Sequence, residues 1–181
     1  MSSTGSESAQ RLFFALWPDD PVRSMLDQAG KELLGKRIKR VPPANLHITL
    51  AFAGSVMTPV RHCLETAADT IRAPAFDLTI NHVGHWPGPR ITWIGPRQVP
   101  AGLWSLVEVL RNTFDECGLQ RETRAYLPHV TLARKTSKPC TATHIDPVPW
   151  SIRHFSLVES VTDPQGARYQ VLKTWPLEME S

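Results

Sequence analysis

Two short segments of this 181-residue chain nearly repeat each other, His47-Ile-Thr-Leu-Ala51 and His129-Val-Thr-Leu-Ala133. Four of the five positions are identical, and the fifth exchanges Ile for Val. Both segments are short, apolar and rich in β-branched residues, which is typical of buried strands. The repeat predicts two equivalent strands, and we take it as the feature that decides the fold.

The surroundings of the two segments also repeat. Each one follows a predicted strand, a predicted helix and a loop of about ten residues. Gly35, which ends the first of these helices, lies 12 positions before His47, and Gly118 lies 11 positions before His129. A recurring unit of this kind indicates two related lobes, each of which contributes one histidine strand.

The alternation of a strand places the polar side chains of each segment on one face. His47 and Thr49 share a face, as do His129 and Thr131, because residues i and i+2 point the same way. If the lobes pack with pseudo-twofold symmetry, two imidazoles and two hydroxyls meet in a groove. Two histidines can act as an acid and a base, and threonine hydroxyls can donate hydrogen bonds to phosphate oxygens. No carboxylate cluster lies beside either segment, so the pattern favours metal-free chemistry.

The remaining elements complete an α+β chain with antiparallel sheets lining a central groove and helices outside. An N-cap at Asp20 and a proline at the first helical position open the first helix. Asp163-Pro-Gln-Gly166 predicts the turn of a terminal hairpin. Residues 135–149 are predicted to be a loop. Strands are predicted at 11–17, 46–52, 76–83, 90–94, 128–134, 150–161 and 168–175, and helices at 21–35, 59–71 and 102–117.

Composition limits the possible classes of protein. Hydrophobic residues make up 41% and charged residues 20%, which is ordinary for a globular domain. No apolar run is long enough to cross a membrane, and residues 1–10, expected to be a disordered tail, lack the basic region of a secretory signal. We therefore expect a cytoplasmic protein with no membrane contact. The net charge of +3 is compatible with an anionic partner such as RNA. Three scattered cysteines, Cys63, Cys117 and Cys140, are expected to be isolated thiols.

At these residues the sequence resembles the 2H phosphoesterase superfamily, and within it the bacterial RNA 2′,3′-cyclic phosphodiesterase branch, also named 2′-5′ RNA ligase. The likeness extends beyond the two histidine segments over nearly the whole chain after the tail. It includes residues 11–15, 45–54, 84–86, 128–134 and 168–175. The resemblance implies a single bilobed domain over residues 11–181 and hydrolysis of a 2′,3′-cyclic phosphate to a 2′-phosphate.

The resemblance also implies roles for individual residues. His47 is expected to protonate the departing 3′ oxygen, and His129 to activate water. Thr49 and Thr131 are expected to hold phosphate oxygens. The reverse reaction would join a cyclic end to a 5′-hydroxyl. The expected partners are the cyclic ends of RNA or oligonucleotides, with no cofactor and no metal, and the chain is expected to be a monomer.

Two further residues are candidates for substrate contacts. Arg134 would contact the phosphate or the base by resemblance, but strict alternation points it away from His129 unless the strand is bulged or ends there. Phe14 would stack on a base, although Phe13 and Phe14 point to opposite faces and either could border the groove.

Two alternatives to the cyclic phosphodiesterase of RNA ends remain open. One is a module of the same fold that binds RNA or a nucleotide without turnover. The other is a phosphodiesterase for a small cyclic nucleotide metabolite. The pair His82 and His85 is not expected to bind a metal, because i and i+3 of a strand face opposite ways. The basic loop over residues 36–40 is either a solvated surface or a site of attraction for an RNA backbone.

Overall fold

A computed structural model describes residues 8–179 of the chain. Eight strands form one antiparallel sheet in the order β6-β3-β4-β5-β2-β1-β7-β8. The strands are β1 Gln10–Leu16, β2 Ile48–Val56, β3 Phe76–Trp86, β4 Ile91–Gly95, β5 Val130–Arg134, β6 His144–Ile152, β7 His154–Asp163 and β8 Gly166–Pro176. The helices are α1 Asp20–Leu34, α2 Thr58–Asp69 and α3 Ala101–Glu116, with a short 3-10 helix at Pro43–Asn45.

The strand order divides the sheet into two equivalent halves of four strands. The units β1-α1-β2 and β4-α3-β5 correspond, as the repeat predicts, and their second strands meet at the centre of the sheet. Only Ile48 and Val130 are paired across that junction within residues 8–179. The predicted α+β fold with two related halves is confirmed, and the halves are joined as one sheet.

The helices cover one face of the sheet and leave the other open. Helix α1 packs on β6 and α3 packs on β2, so each helix crosses to the opposite half. Alternate residues of β1 separate the two faces: Phe14 belongs to the main core under the helices, whereas Phe13 and Ala15 belong to a smaller cluster on the open face. The open face therefore carries the candidate groove.

The helix boundaries agree with the sequence prediction within a few residues. At the start of α1, however, Asp19 rather than Asp20 is the N-cap, and its carboxylate accepts a hydrogen bond from the Val22 amide at 3.0 Å. Among the described residues, no helix is long and apolar enough to cross a membrane. The expected tail falls largely on residues 1–7, which lie outside the described residues, and Gln10 already belongs to β1.

The prediction for the segment after β5 is wrong in part. Residues 144–149 were expected to be a loop and 150–161 a single strand, but two strands, β6 and β7, meet at Arg153. Pro147 and Pro149 argue against a strand in the sequence, because proline has no backbone N–H to donate to a neighbouring strand. Strand β6 lies at the edge of the sheet, where proline is tolerated.

The cysteine prediction is also wrong in part. Cys63 of α2 and Cys117, the residue that follows α3, form a disulfide with their Cα atoms 5.8 Å apart, and Cys140 is free. The pairing arises because α2 and α3 pack side by side, which brings together residues 54 positions apart in the sequence. No local spacing encodes such a contact, so the sequence carried no signal for it.

Candidate active site

The junction of the two halves brings the four motif side chains together. Ile48 lies opposite Val130 in an antiparallel pair, so His47 is placed beside Thr131 and Thr49 beside His129. All four residues line a single cavity of about 1250 Å³ on the open face. The arrangement is the one that the repeated segment predicts.

His47 is held by a backbone carbonyl and surrounded by aromatic rings. Its Nδ1–H donates to the Asn45 carbonyl at 2.7 Å, which fixes the tautomer and turns Nε2 toward Thr49 Oγ1 at 3.2 Å. Trp17 stacks on the imidazole at 5.3 Å between ring centroids, and Phe13 and Tyr169 pack beside it at 5.0 and 5.1 Å. These contacts leave His47 one functional nitrogen, Nε2.

His129 is held in the same way in the other half. Its Nδ1–H donates to the Leu127 carbonyl at 2.8 Å, two residues earlier, just as His47 binds Asn45. The edge of Trp86 packs against its ring at 4.5 Å, and Trp93 lies at 6.1 Å. The second imidazole therefore also keeps Nε2 free for chemistry in the cavity.

Burial and a nearby cation make both imidazoles weak bases. Loss of solvent lowers the pKa of His47 to about 4, helped by repulsion from His129 and Arg134 and opposed by the Asn45 carbonyl. Loss of solvent also lowers the pKa of His129, and Arg134 adds to that effect against the Leu127 carbonyl. Both histidines are thus neutral at pH 7 in the unliganded protein.

A bulge at the same position of both motif strands turns a third residue of each strand into the groove. The strand pairing skips Leu50 between Thr49 and Ala51, and it skips Leu132 between Thr131 and Ala133. The extra residue reverses the alternation beyond it, as a bulge does.

The residues after the bulges are therefore Phe52 in one half and Arg134 in the other, and both line the cavity. Arg134 thus reaches the groove through a bulge, which is the condition that the sequence analysis set for a substrate contact by Arg134. Phe52 is its counterpart by symmetry, and the Arg11 guanidinium lies over the Phe52 ring at 4.7 Å from the centroid.

Phe14 is not at the groove, which corrects the sequence expectation. It is 0% exposed and packs in the core beneath the helices against Phe114, Phe155 and Trp175. Its neighbour Phe13 lines the cavity and contacts His47. The aromatic residue of β1 that can contact a bound ligand is therefore Phe13.

Comparison with known proteins agrees with this geometry. The family described as "2′-5′ RNA ligase superfamily" matches residues 17–164. A protein of Escherichia coli strain K12 named RNA 2′,3′-cyclic phosphodiesterase is 35% identical, over 93% of this chain and 97% of the relative. The protein of the same name from Thermus thermophilus is 30% identical, over 94% of this chain and 91% of the relative. The chain belongs to the 2′-5′ RNA ligase superfamily.

Solved structures of the same superfamily share the fold. The crystal structure of Escherichia coli LigT complexed with 3′-AMP matches with a TM-score of 0.87 at 33% identity, covering 93% of this chain and 98% of that one. The crystal structure of TT0787 of Thermus thermophilus matches with a TM-score of 0.75 at 28% identity, covering 94% and 100%. The fold of this chain is thus shared with these two structures.

Sequence reasoning missed several residues that shape the site. Trp17 and Tyr169 enclose His47, and Trp86 packs on His129. Trp86 and Tyr169 lie in segments that carry the family resemblance, but that resemblance gave them no role, and Trp17 had no such signal. Tyr126 was also missed: its hydroxyl donates to the Thr49 carbonyl at 3.0 Å and so ties the loop before β5 to β2. Burial raises the pKa of Tyr126, which keeps that donor protonated.

The other histidine pair lies outside the groove. His82 Nδ1 contacts the Thr143 carbonyl, whereas His85 Nδ1 contacts the hydroxyls of Thr92 and Thr136. The two rings therefore have different hydrogen-bond partners. In the part of the chain that the structure describes, no three His, Cys, Asp or Glu side chains cluster as metal ligands would.

Proposed function

We propose that the chain hydrolyses the 2′,3′-cyclic phosphate at RNA ends to a 2′-phosphate, with His47 and His129 as proton donor and acceptor. The reaction is that of a phosphoric diester hydrolase. The observation that carries the proposal is the matched pair of imidazoles. Each is fixed through Nδ1 by a carbonyl two residues earlier and directs Nε2 into one cavity.

The chemical step needs a base that takes a proton from water and an acid that gives a proton to the leaving oxygen. A water oxygen attacks phosphorus while His129 Nε2 takes the water proton. The bond from phosphorus to O3′ breaks, and His47 Nε2–H gives its proton to O3′ as that oxygen leaves. The products are a 2′-phosphate and a 3′-hydroxyl. The two histidines then exchange protons with solvent to restore the starting state.

The remaining groups of the cavity stabilise the phosphate. Thr49 and Thr131 lie beside His129 and His47, respectively, and their hydroxyls can donate to the non-bridging oxygens. Arg134 supplies a positive charge near both imidazoles, as its lowering of their pKa values indicates. Fixed donors and a cation aimed at the phosphate stabilise the charge that builds up in the transition state.

Binding of the anionic substrate raises the proton affinity of His47. His47 has a pKa of about 4 in the free protein and would rarely hold a proton at pH 7. A bound phosphate anion favours the charged imidazolium, so the pKa of His47 rises in the complex. The acid is thus formed where the substrate is bound.

The same two groups can also join two RNA ends. If a 5′-hydroxyl takes the place of water, His129 takes its proton, the bond from phosphorus to O3′ breaks, and His47 protonates O3′, so that the new bond is a 2′-5′ linkage. We also propose that the chain acts as a monomer in the cytoplasm, with residues 11–181 as a single bilobed domain. The single sheet and the cavity built from one chain support the single domain and the monomer.

The test is hydrolysis of an oligoribonucleotide ending in a 2′,3′-cyclic phosphate, with EDTA present. We expect wild-type protein to release a 2′-phosphate end, and His47→Ala and His129→Ala to lose roughly 10²–10⁴-fold in kcat. His62→Ala, an exposed histidine of α2, is the matched control and should keep full activity. Binding of the 2′-phosphate product by the two inactive variants checks that the groove is intact.

Each contrary result has a distinct meaning. Equal loss of product binding and turnover in both variants would support a binding module without catalysis. Full activity in either variant would refute the two-histidine mechanism. Hydrolysis of cyclic mononucleotides but not of oligonucleotides by the wild type would support a small-metabolite enzyme.

A further inference from the structure

The cavity extends well beyond the four motif residues. Its volume of about 1250 Å³ exceeds the range of roughly 300–1,000 Å³ common for small-molecule sites. Among the described residues that line it, seven are Arg or Lys and none is Asp or Glu. This single sign of charge is notable in a chain with 17 acidic residues and a net charge of only +3. The cavity therefore presents a positive potential to solvent.

Four of these cations form a basic rim at one side of the cavity: Arg37, Lys39, Lys135 and Lys138. All four are exposed. They come from two loops, over residues 35–42 and 135–143. The Val41 amide donates to the Leu132 carbonyl at 2.7 Å, which holds the first loop against β5, the strand that leads into the second loop. The basic rim therefore continues directly from β5, the strand that places Thr131 and Arg134 in the cavity.

Buried contacts hold both loops in place. Arg40 of the first loop binds the buried Asp27 carboxylate of α1 at 2.6 Å. In the second loop, the buried Thr136 hydroxyl donates to the Arg90 carbonyl at 3.1 Å. The neighbouring cations are thus presented from fixed backbone, which lowers the entropic cost of ordering a ligand on them.

In the described part of the chain, most of the Arg and Lys residues that make no ion pair line the cavity. Of the 20 Arg and Lys residues, eleven pair with Asp or Glu within residues 8–179, and of those eleven only Arg40 lines the cavity. Nine make no ion pair there, and six of the nine line the cavity. These six are Arg11, Arg37, Lys39, Arg134, Lys135 and Lys138.

We infer that the basic rim binds internucleotide phosphates of the RNA strand that precedes the cyclic end. This inference rests on the proposed function and specifies its substrate. A nucleoside cyclic phosphate has one phosphate, which binds to the motif residues and Arg134. It therefore has no second phosphate that could contact the basic rim. An oligoribonucleotide carries further phosphates and gains counterion release when lysine and arginine contact them. The preferred substrate is therefore an RNA strand and not a cyclic mononucleotide.

The test compares two double variants that each remove two positive charges. Arg37→Gln/Lys39→Gln changes the basic rim, whereas Arg72→Gln/Arg97→Gln removes two exposed cations that lie outside both loops and do not line the cavity. For each protein, kcat/KM is measured on a nucleoside 2′,3′-cyclic phosphate and on a short oligoribonucleotide with the same end, over a series of salt concentrations.

We expect the basic-rim variant to lower the ratio of oligonucleotide to mononucleotide kcat/KM about tenfold at low salt. Its slope of log kcat/KM against log salt on the oligonucleotide should fall by about 1.4, at ~0.7 per lost phosphate contact with a single strand. The control variant should match wild type on both substrates. An unchanged ratio in the basic-rim variant, or an equal change in the control, would overturn the inference.

A binding measurement separates this inference from the proposed function. Fluorescence anisotropy of a labelled oligoribonucleotide ending in a 2′-phosphate requires no turnover. If wild-type protein hydrolyses neither substrate, the proposed function fails. A selective loss of oligonucleotide affinity in the basic-rim variant would then still support binding of RNA phosphates by the basic rim. Equal affinity of all three proteins would refute it.

Discussion

Ile48 of β2 lies directly opposite Val130 of β5, and both side chains are 0% exposed. This pair joins the two halves of the sheet, and each residue stands next to a proposed catalytic histidine in the sequence. Packing at the junction therefore sets the position of one imidazole relative to the other. The geometry of the site depends on a hydrophobic contact that itself contains no reactive group.

Ile48→Ala should accordingly impair both stability and catalysis. Loss of a buried isoleucine costs roughly 2–5 kcal/mol of the free energy of unfolding. The cavity left at the junction should also lower kcat of the folded fraction by about tenfold or more, because small misplacements of reacting groups are costly. Ile80→Ala, an equally buried isoleucine of β3, is the control. It should lose stability but keep kcat, and equal kcat for both variants would contradict the prediction.

The acidity of the two imidazoles predicts the pH dependence of catalysis. The proposed mechanism needs one protonated and one neutral histidine, and the pKa of His47 is about 4 while that of His129 is below its usual value of about 6.5. The quantity kcat/KM, which reports the free enzyme, should therefore peak at acidic pH and fall about tenfold per unit above the higher pKa. The profile of kcat should lie at higher pH, because bound phosphate raises both values. A kcat/KM maximum above pH 7 would contradict this account.

Arg134 should contribute to that profile, next to the larger effect of burial. Its positive charge lowers the pKa of His47 and of His129, so Arg134→Gln should raise both values and move the kcat/KM maximum to higher pH. Titration of the histidine ring protons by NMR measures the shift directly. Arg11→Gln is the control, because Arg11 lines the cavity but is not among the causes of either shift. Identical titration curves for wild type and Arg134→Gln would refute the role of Arg134.

Gly84 tests whether the aromatic support of His129 matters. A methyl group at Gly84 would clash with the Trp93 ring, and the ring cannot stay where it is. Because Trp93 packs against His129, Gly84→Ala should lower kcat as well as the melting temperature. Gly88→Ala, where no atom lies within 4 Å of the added methyl, should leave both unchanged. Full activity in Gly84→Ala would show that Trp93 is dispensable for positioning.

The sequence predicts the centre of this site better than its surroundings, for a physical reason. His47 and Thr49 alternate along one strand, and the repeat at His129 implies a partner, so local periodicity and symmetry suffice. Trp17 and Tyr169 reach His47 from β1 and β8, and only the three-dimensional pairing of distant strands brings them there. The alternation of β1 shows that Phe13 and Phe14 lie on opposite faces of the sheet, but it does not show which face the helices cover. The prediction of Phe14 at the groove is wrong for that reason.

The bulges mark another limit of sequence reasoning. A skipped residue at Leu132 returns Arg134 to the groove, but nothing in the composition of β5 requires a bulge there. The equivalent bulge at Leu50 brings Phe52 into the cavity, a residue that no motif indicated. The edge position of β6, which permits its prolines, likewise follows from strand order and not from local sequence.

The disulfide between Cys63 and Cys117 should stabilise the fold without taking part in catalysis. It closes a loop of 54 residues, for which the chain-entropy description gives about 4 kcal/mol. It joins α2 to the end of α3, whereas the imidazoles lie on the open face of the sheet. Reduction with dithiothreitol, or Cys63→Ser, should therefore lower the melting temperature and leave kcat near its original value at moderate temperature. Cys140→Ser, which removes the free thiol, is the control and should change neither quantity. A large loss of kcat on reduction, with the melting temperature unchanged, would show instead that the helix pair controls the groove.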